Sequence, residues 1–190
     1  MTDEKRLVIT GGIGSGKSSV SGFLRHHGWA VLDSDAVGHE VLTEDDVVRL
    51  VGKFWPHTIH GGVVDRRALG MEVFATPDDL AKLESIVHPL IERRVTTWMQ
   101  GVSGPAAIEV SVLHLVDRSW GQVVVVDAPT DVRLERVQSR GLRREEAEQR
   151  LQAQADRSAW LEVADFVIPN HLDLTELEQA TLSLAALMEQ

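Results

Sequence analysis

The chain has 190 residues, a formal net charge of −10, 43 % hydrophobic residues and no cysteine. This composition is typical of one soluble globular domain, and it excludes general disorder, disulfides and thiolate metal sites. The acidic charge excludes a non-specific nucleic-acid binder, and no apolar run is long enough to span a membrane. The charged N-terminal segment lacks the apolar centre of a signal peptide, so we expect a cytoplasmic protein.

In the N-terminal and C-terminal parts of the chain, short apolar runs alternate with segments whose apolar residues have helical spacing. In chain order the pattern predicts strands at Leu7–Ile9, Ala30–Leu32, Ala106–Val112, Val123–Val126 and Phe166–Ile168. It predicts helices at Ser18–His27, Thr130–Ser139, Arg143–Trp160 and Leu174–Met188. Buried strands alternating with helices indicate an α/β fold, with a mostly parallel five-stranded sheet flanked by helices.

The middle of the chain is predicted to be mainly helical. Thr43 is the predicted cap of a helix that runs to about Phe54, with Asp46 in the capping-box position, and Asp65 and Thr76 begin further helices. No sheet is predicted within this part. We therefore expect a single domain over residues 1–190, with a helical substrate lobe inserted at about residues 36–100.

A glycine-rich segment after the first strand gives the strongest functional signal. Gly11 to Ser18 fits the pattern G-x-x-x-x-G-K-[ST], in which backbone N–H groups and a helix N-terminus surround phosphate oxygens. Lys17 is expected to reach the β and γ phosphates, and the Ser18 hydroxyl is expected to hold Mg²⁺. A dinucleotide site is excluded, because Lys17 stands where its third glycine is needed. The predicted ATP-binding residues here are Gly12, Ile13, Gly14, Ser15, Gly16, Lys17, Ser18 and Ser19.

Several features narrow the kind of phosphate-loop protein. The guanine-reading motif [NT]-K-x-D of GTPases is absent, and Val123–Val126 ends in Asp127-Ala128 without the glutamate that polarises water in motor ATPases. Transfer to an acceptor other than water is therefore favoured. Asp33 follows the second strand and is expected at the same sheet edge as the loop, where it can orient an acceptor hydroxyl and take up its proton.

Arginines are dense toward the C-terminal end. Seven of them lie between residues 133 and 157. Kinases need guanidinium groups that neutralise charge developing during phosphoryl transfer, and a helical lid can supply them. We expect a lid at residues 133–158, with Arg140 and Arg143 or Arg144 near the phosphates. Glutamates at Glu145, Glu146 and Glu148 indicate that some of the arginines form surface ion pairs instead.

The ordered set of motifs resembles the dephospho-CoA kinase family over nearly the whole chain. The resemblance is carried by T-G-G-I-G-S-G-K-S from Thr10, V-L-D-S-D from Val31, V-D-R-R-A-L from Val64, I-V-H-P-L-I from Ile86, and the spacing of Arg136, Arg140, Arg150 and Gln154 before A-D-F-V-I and Asn170. It departs from the family at Val37-Gly38-His39, in place of I-x-R, and at Leu113–Asp117, in place of P-L-L-x-E.

The resemblance implies a P-loop kinase that transfers the ATP γ-phosphate to the ribose 3′-hydroxyl of dephospho-CoA, with Mg²⁺. It implies Asp33, Lys17 and Arg140 as catalytic residues, with Arg143 and Asn170 as further ATP ligands. The implied acceptor-binding residues are Asp35, His39, Arg66, Phe74 and His88. No nucleic acid, membrane or obligatory protein partner is expected. Two alternatives stay open: a kinase for another nucleoside or nucleotide acceptor, and a non-catalytic ATP-binding module.

Overall fold

The computed structural model describes residues 5–171 and 173–188. Its strands are β1 (Arg6–Thr10), β2 (Ala30–Asp33), β3 (Ile59–His60), β4 (Val63–Val64), β5 (Ala106–Glu109), β6 (Gln122–Asp127) and β7 (Phe166–Pro169). Its helices are α1 (Lys17–His26), α2 (Ser34–Val41), α3 (Asp45–Phe54), α4 (Arg66–Val73), α5 (Pro77–Gly101), α6 (Thr130–Ser139), α7 (Arg144–Gln152), α8 (Arg157–Glu162) and α9 (Leu174–Met188). None of the helices in these ranges is long and apolar enough to cross a membrane.

The predicted five-stranded sheet is confirmed. In the part of the chain that the structure describes, its order is β2-β5-β1-β6-β7, and every neighbouring pair is parallel. Each strand is short and apolar, as expected for strands covered on both faces. Leu7 and Ile9 lie two residues apart on one face and pack in a core with Leu24 of α1 and Leu177 of α9. Because all five strands run the same way, their carboxyl ends meet at one edge, which carries the site.

The chain forms two compact units. One contains the sheet and comprises the chain up to Asp33 and again from Met99; the other comprises Ser34–Trp98. The second unit contains α2 to α5, and Val41, Val47, Val51 and Leu69 are among its fully buried side chains.

The prediction that the middle of the chain has no sheet is wrong. Ile59–His60 pairs with Val63–Val64 as an antiparallel hairpin. Gly61 and Gly62 form its turn with φ of 59° and 79°. A two-residue hairpin turn needs positive φ at both positions, and glycine adopts it without steric cost. The Gly-Gly pair between Ile59-His60 and Val63-Val64 was therefore the available signal.

Of the two predicted helix caps in this region, the one at α3 is wrong and the one at α4 is confirmed. Thr43 does not cap α3: its hydroxyl donates to the Glu40 carbonyl at 2.7 Å, and Glu44 takes the cap position. Asp65 caps α4 as predicted, accepting from the N–H groups of Arg67 and Ala68 at 2.9 and 3.1 Å. The hydrogen bond from Ala68 is the largest cause that lowers the pKa of Asp65 below its ordinary value.

The helix predicted over Arg143–Trp160 is two helices. α7 ends at Gln152 and α8 begins at Arg157. Between them the Gln154 side chain accepts the N–H of Ile13 at 2.7 Å, and Arg157 pairs with Asp127 at the end of β6. These contacts tie the segment between the two helices to the loop after β1 and to the sheet edge.

Candidate active site

The loop between β1 and α1 has the backbone form that its glycines allow. Gly14 and Gly16 have φ of 77° and 103°, in the region that favours glycine. Lys17 begins α1 and is buried, and its Nζ donates to the Gly11 carbonyl at 2.9 Å. The structure therefore places the lysine ammonium inside the curl of the loop, close to where the motif expects phosphate.

Two arginines of α6 hold the backbone carbonyls of this loop. Arg133 Nε donates to the Ile13 carbonyl at 2.8 Å, and Arg136 Nη1 lies 3.4 Å from the Gly14 carbonyl oxygen. The two residues are three apart, so they project from one side of the helix. Arg133 is buried, and the loss of hydration lowers its pKa below the usual arginine value, although the charge of Asp127 opposes the shift.

Asn170, directly after β7, supports the loop beside Gly16. Its Nδ2 donates to the Ser15 carbonyl at 2.6 Å, and its Oδ1 accepts from Arg136 at 3.1 Å. The residue is 4 % exposed. Its amide thus contacts the protein on both sides, and the structure places this predicted ATP ligand as a support of the loop.

Glu109 is a site residue that the sequence reasoning missed. It ends β5, is 6 % exposed, and its Oε1 accepts the Ser18 hydroxyl at 2.8 Å. Asp33 is its register partner on β2, so both carboxylates stand on the same face at the carboxyl edge of the sheet. No sequence signal marked this acid, because residue order does not reveal that β5 is the strand between β1 and β2.

Ser18 and Glu109 form an oxygen donor set suited to a hard cation. A hydroxyl and a carboxylate are the protein ligands typical of Mg²⁺ beside nucleotide phosphates. Their separation shows that both can face one small volume at the start of α1. The residues present therefore fit the magnesium ion that the motif implies.

Of the seven arginines, three contact the phosphate loop or the sheet edge, and the other four are exposed, with Arg144 paired to Glu148 at 2.8 Å. Arg133, Arg136 and Arg157 are engaged with the loop or the sheet edge; Arg157 makes two-pronged contacts with Asp127 at 2.9 and 2.6 Å, which raise its pKa. Arg140 lies exposed at the end of α6. Arg143 precedes α7 and contacts Glu146 at 3.1 Å, which lowers the pKa of that carboxylate.

The predicted acceptor residues outside the sheet unit lie on three helices of the second unit. Asp35 and His39 are four residues apart on α2 and share one face, and both are exposed. Arg66 begins α4 and Phe74 follows its end, with Phe74 76 % exposed. His88 lies half-buried within α5.

Comparison with known proteins identifies the family. Residues 6–176 match the family model described as dephospho-CoA kinase. The dephospho-CoA kinase of Streptomyces avermitilis is 37 % identical over 182 residues, covering 92 % of this chain and 89 % of that protein. This chain belongs to the dephospho-CoA kinase family. The dephospho-CoA kinase of Dehalococcoides mccartyi is 32 % identical, and the match covers 95 % of this chain and 96 % of that protein.

Solved structures agree with this fold. A Thermus thermophilus protein superposes with a TM-score of 0.82 at 32 % identity, over 96 % of this chain and 97 % of that chain. The dephospho-CoA kinase from Campylobacter jejuni gives 0.72 at 24 % identity over 96 % of both chains. Shikimate kinase from Bacteroides thetaiotaomicron gives 0.60 at 15 % identity, covering 97 % of this chain and 98 % of that chain, which shows the fold alone. The resemblance carried by the motifs is confirmed, and the chain is an enzyme of the kinase class.

Proposed function

We propose that this dephospho-CoA kinase family member transfers the γ-phosphate of ATP to the ribose 3′-hydroxyl of dephospho-CoA, giving CoA and ADP. The observation that carries the proposal is the group formed by Lys17, Ser18 and Glu109 beside Asp33 at one sheet edge. It combines a phosphate site with a carboxylate for an acceptor hydroxyl, within a chain of this family. We place the reaction in the cytoplasm.

Lys17 and the loop N–H groups bind the ATP phosphates. Lys17 exchanges its contact with the Gly11 carbonyl for phosphate oxygens, so the ammonium moves little when ATP arrives. Arg133, Arg136 and Asn170 hold the loop carbonyls. The N–H groups of Gly14 and of residues 16–18 are therefore assigned to the nucleotide, whereas the N–H of Ser15 donates to the Gly12 carbonyl at 3.1 Å. Asn170 therefore contributes to ATP binding through Ser15. Ile13 and Ser19 flank this phosphate-binding segment, and the Ile13 N–H itself donates to Gln154 Oε1 at 2.7 Å.

Asp33 orients the acceptor hydroxyl and takes up its proton. The ribose oxygen forms a bond to the γ-phosphorus, the bond from that phosphorus to the bridging oxygen of the β-phosphate breaks, and ADP leaves with that electron pair. The proton passes to the Asp33 carboxylate as the new bond forms. Positioning and charge neutralisation account for the rate, so no covalent intermediate is needed.

Ser18 and Glu109 would hold Mg²⁺ at the start of α1. When bound, the ion neutralises negative charge on the β and γ phosphates. Glu109 also orients the Ser18 hydroxyl, because its Oε1 accepts a hydrogen bond from that hydroxyl at 2.8 Å.

The remaining roles are assigned to the second unit and to the arginine-rich segment. Residues 36–100 form the acceptor lobe and residues 133–158 form the lid, with Arg140 and Arg143 directed to the phosphates. Both arginines are exposed, so they can reorient at small cost. The acceptor contacts are assigned to Asp35, His39, Arg66, Phe74 and His88.

Release of ADP from ATP and Mg²⁺, with and without dephospho-CoA, tests the proposal. Dephospho-CoA should stimulate the release, and Lys17→Met should abolish the stimulation, whereas Lys53→Met, on the exposed side of α3, should leave it unchanged. A wild-type protein that binds ATP but ignores dephospho-CoA contradicts the proposal. Stimulation by another ribose hydroxyl compound in its place would instead mean a changed acceptor, associated with His39 and the Leu113–Asp117 segment, where the chain departs from the family pattern.

A further inference from the structure

The Ile13 backbone is held by a closed ring of hydrogen bonds outside the phosphate-binding side of the loop. Its N–H donates to Gln154 Oε1 at 2.7 Å, and its carbonyl accepts from Arg133 Nε at 2.8 Å. The ring closes where Arg133 Nη2 donates to the same Gln154 oxygen at 3.2 Å. The peptide groups on both sides of Ile13 are therefore fixed by two side chains that come from elsewhere in the sequence.

The Arg133 guanidinium also lies directly against the loop. A Cβ atom built on Gly12 would lie 2.3 Å from Arg133 Nη2 and 2.4 Å from its Cζ. Gly12 has no positive φ, so the feature that a side chain there would disturb is the close approach of the Arg133 guanidinium, which would have to shift. Burial of this guanidinium, at 9 % exposure, is offset by the hydrogen bonds that it makes within the ring.

The orientation of the Ile13 peptide groups sets the direction of the loop that follows. The N–H groups of Gly14 and of residues 16–18 are the ones assigned to phosphate, since that of Ser15 donates to the Gly12 carbonyl. Their directions depend on the peptide planes before them. A loop already held in that form does not lose backbone entropy when nucleotide binds. The ring therefore affects nucleotide affinity although neither side chain needs to touch the nucleotide.

We propose that Arg133 and Gln154 are positioning residues that hold the Ile13 peptide groups of the phosphate loop in the nucleotide-binding form. The loop is thereby pre-organised by α6 and by the segment between α7 and α8. This inference rests on the proposed use of ATP, but it is independent of which acceptor receives the phosphate.

Calorimetric binding of MgADP, measured without any acceptor, tests the proposal. Gln154→Met keeps the side-chain length and removes the oxygen that accepts from both Ile13 and Arg133. It should weaken MgADP binding about tenfold, because part of the cost of losing these two hydrogen bonds falls on the binding step. Gln154→Glu retains an oxygen that can accept from both Ile13 and Arg133. Its affinity for MgADP should therefore stay within about twofold of the wild-type value, clearly separated from the roughly tenfold loss expected for Gln154→Met. Gln152→Met, at the exposed end of α7, is the matched control and should bind normally.

A double variant tests whether the two residues act as one unit. Arg133→Lys keeps the charge but cannot donate from Nε and Nη2 together, so it should weaken binding about as much as Gln154→Met. The pair should weaken it little further, because either change opens the ring. If Gln154→Met fails to fold, the comparison of Arg133→Lys with Gln152→Met decides the same question.

A purely structural role of the ring predicts different results. It would lower the melting temperature of Gln154→Met while leaving the affinity of the folded protein at 25 °C unchanged, and normal MgADP binding by this variant overturns the proposal. Equal weakening of MgADP binding in Gln154→Glu and Gln154→Met also overturns it.

Steady-state turnover gives a second measurement. In Gln154→Met the KM for ATP should rise while the KM for the acceptor stays constant. If dephospho-CoA is not phosphorylated, the proposed function fails, yet the binding result still decides the role of the ring.

Discussion

Gly16→Ala should destabilise the protein strongly, and the structure gives the reasons. Gly16 has φ of 103°, and a Cβ there would lie 2.0 Å from Asn170 Nδ2. Alanine at positive φ costs about 1–2 kcal/mol. Displacing the Asn170 amide, which is 4 % exposed and donates to Ser15 at 2.6 Å, leaves buried polar groups unpaired at a cost of about 1–3 kcal/mol.

The same substitution at Gly22 should have the opposite sign. Gly22 lies inside α1 and is exposed, and no heavy atom lies within 4 Å of its added Cβ. Alanine there lowers the entropy of the unfolded chain and stabilises the helix by about 0.5–1 kcal/mol. Both variants add a single methyl group, at positions six residues apart in the sequence, so each is a control for the other.

Thermal unfolding followed by calorimetry without nucleotide measures both variants. For a domain of this size about 2–4 °C corresponds to 1 kcal/mol. Gly16→Ala should therefore melt at least about 4 °C below wild type, and Gly22→Ala about 1–4 °C above it. A Gly16→Ala protein that melts with the wild type would refute the close packing of Asn170 on the loop, and a destabilised Gly22→Ala would refute the open surface of α1.

Three further results are expected. Asp33→Asn should lower turnover at least about a hundredfold, because it loses proton acceptance, with MgADP affinity nearly unchanged; normal turnover in a steady-state assay would remove Asp33 from this role. Glu109→Gln should raise the Mg²⁺ concentration for half-maximal activity, about tenfold or more, because a charged oxygen ligand is lost; an unchanged Mg²⁺ titration would separate Glu109 from the metal. Asp65→Ala should lower the urea midpoint of unfolding at pH 7. Because the pKa of Asp65 is lowered in the folded state, the ionised carboxylate stabilises the protein above its ordinary pKa of 3.8, and this stabilisation is lost as the pH falls below that value. Urea midpoints at several pH values should therefore converge in acid, and a constant difference would contradict the ionised cap.

The strands of the sheet could be predicted because each is a short apolar run beside a helical pattern. Val123–Val126 and Leu7–Ile9 are examples, and both are buried in β6 and β1. The hairpin at Ile59–Val64 escaped because its strands have only two residues each and carry no alternation. Its Gly61-Gly62 turn was the only local signal, and it stood within a mainly helical region.

The phosphate loop could be predicted from spacing, but its supports could not. Sequence alone does not say that β5 lies beside β1, so Glu109 at its end could not be placed next to Ser18. The positions of the arginines could not be predicted either. Their number indicates a role in charge neutralisation, but it does not show which of them face the phosphate loop. Arg133 and Arg136 face the loop only because α6 runs past it.

Phosphorus NMR of the reaction product tests the central claim most directly. With ATP, Mg²⁺ and dephospho-CoA, the account predicts one new phosphomonoester signal on the ribose 3′ position, formed in equal amount with ADP and absent with Lys17→Met. A phosphate at another position, or ADP formed without any phosphorylated acceptor, would contradict the account.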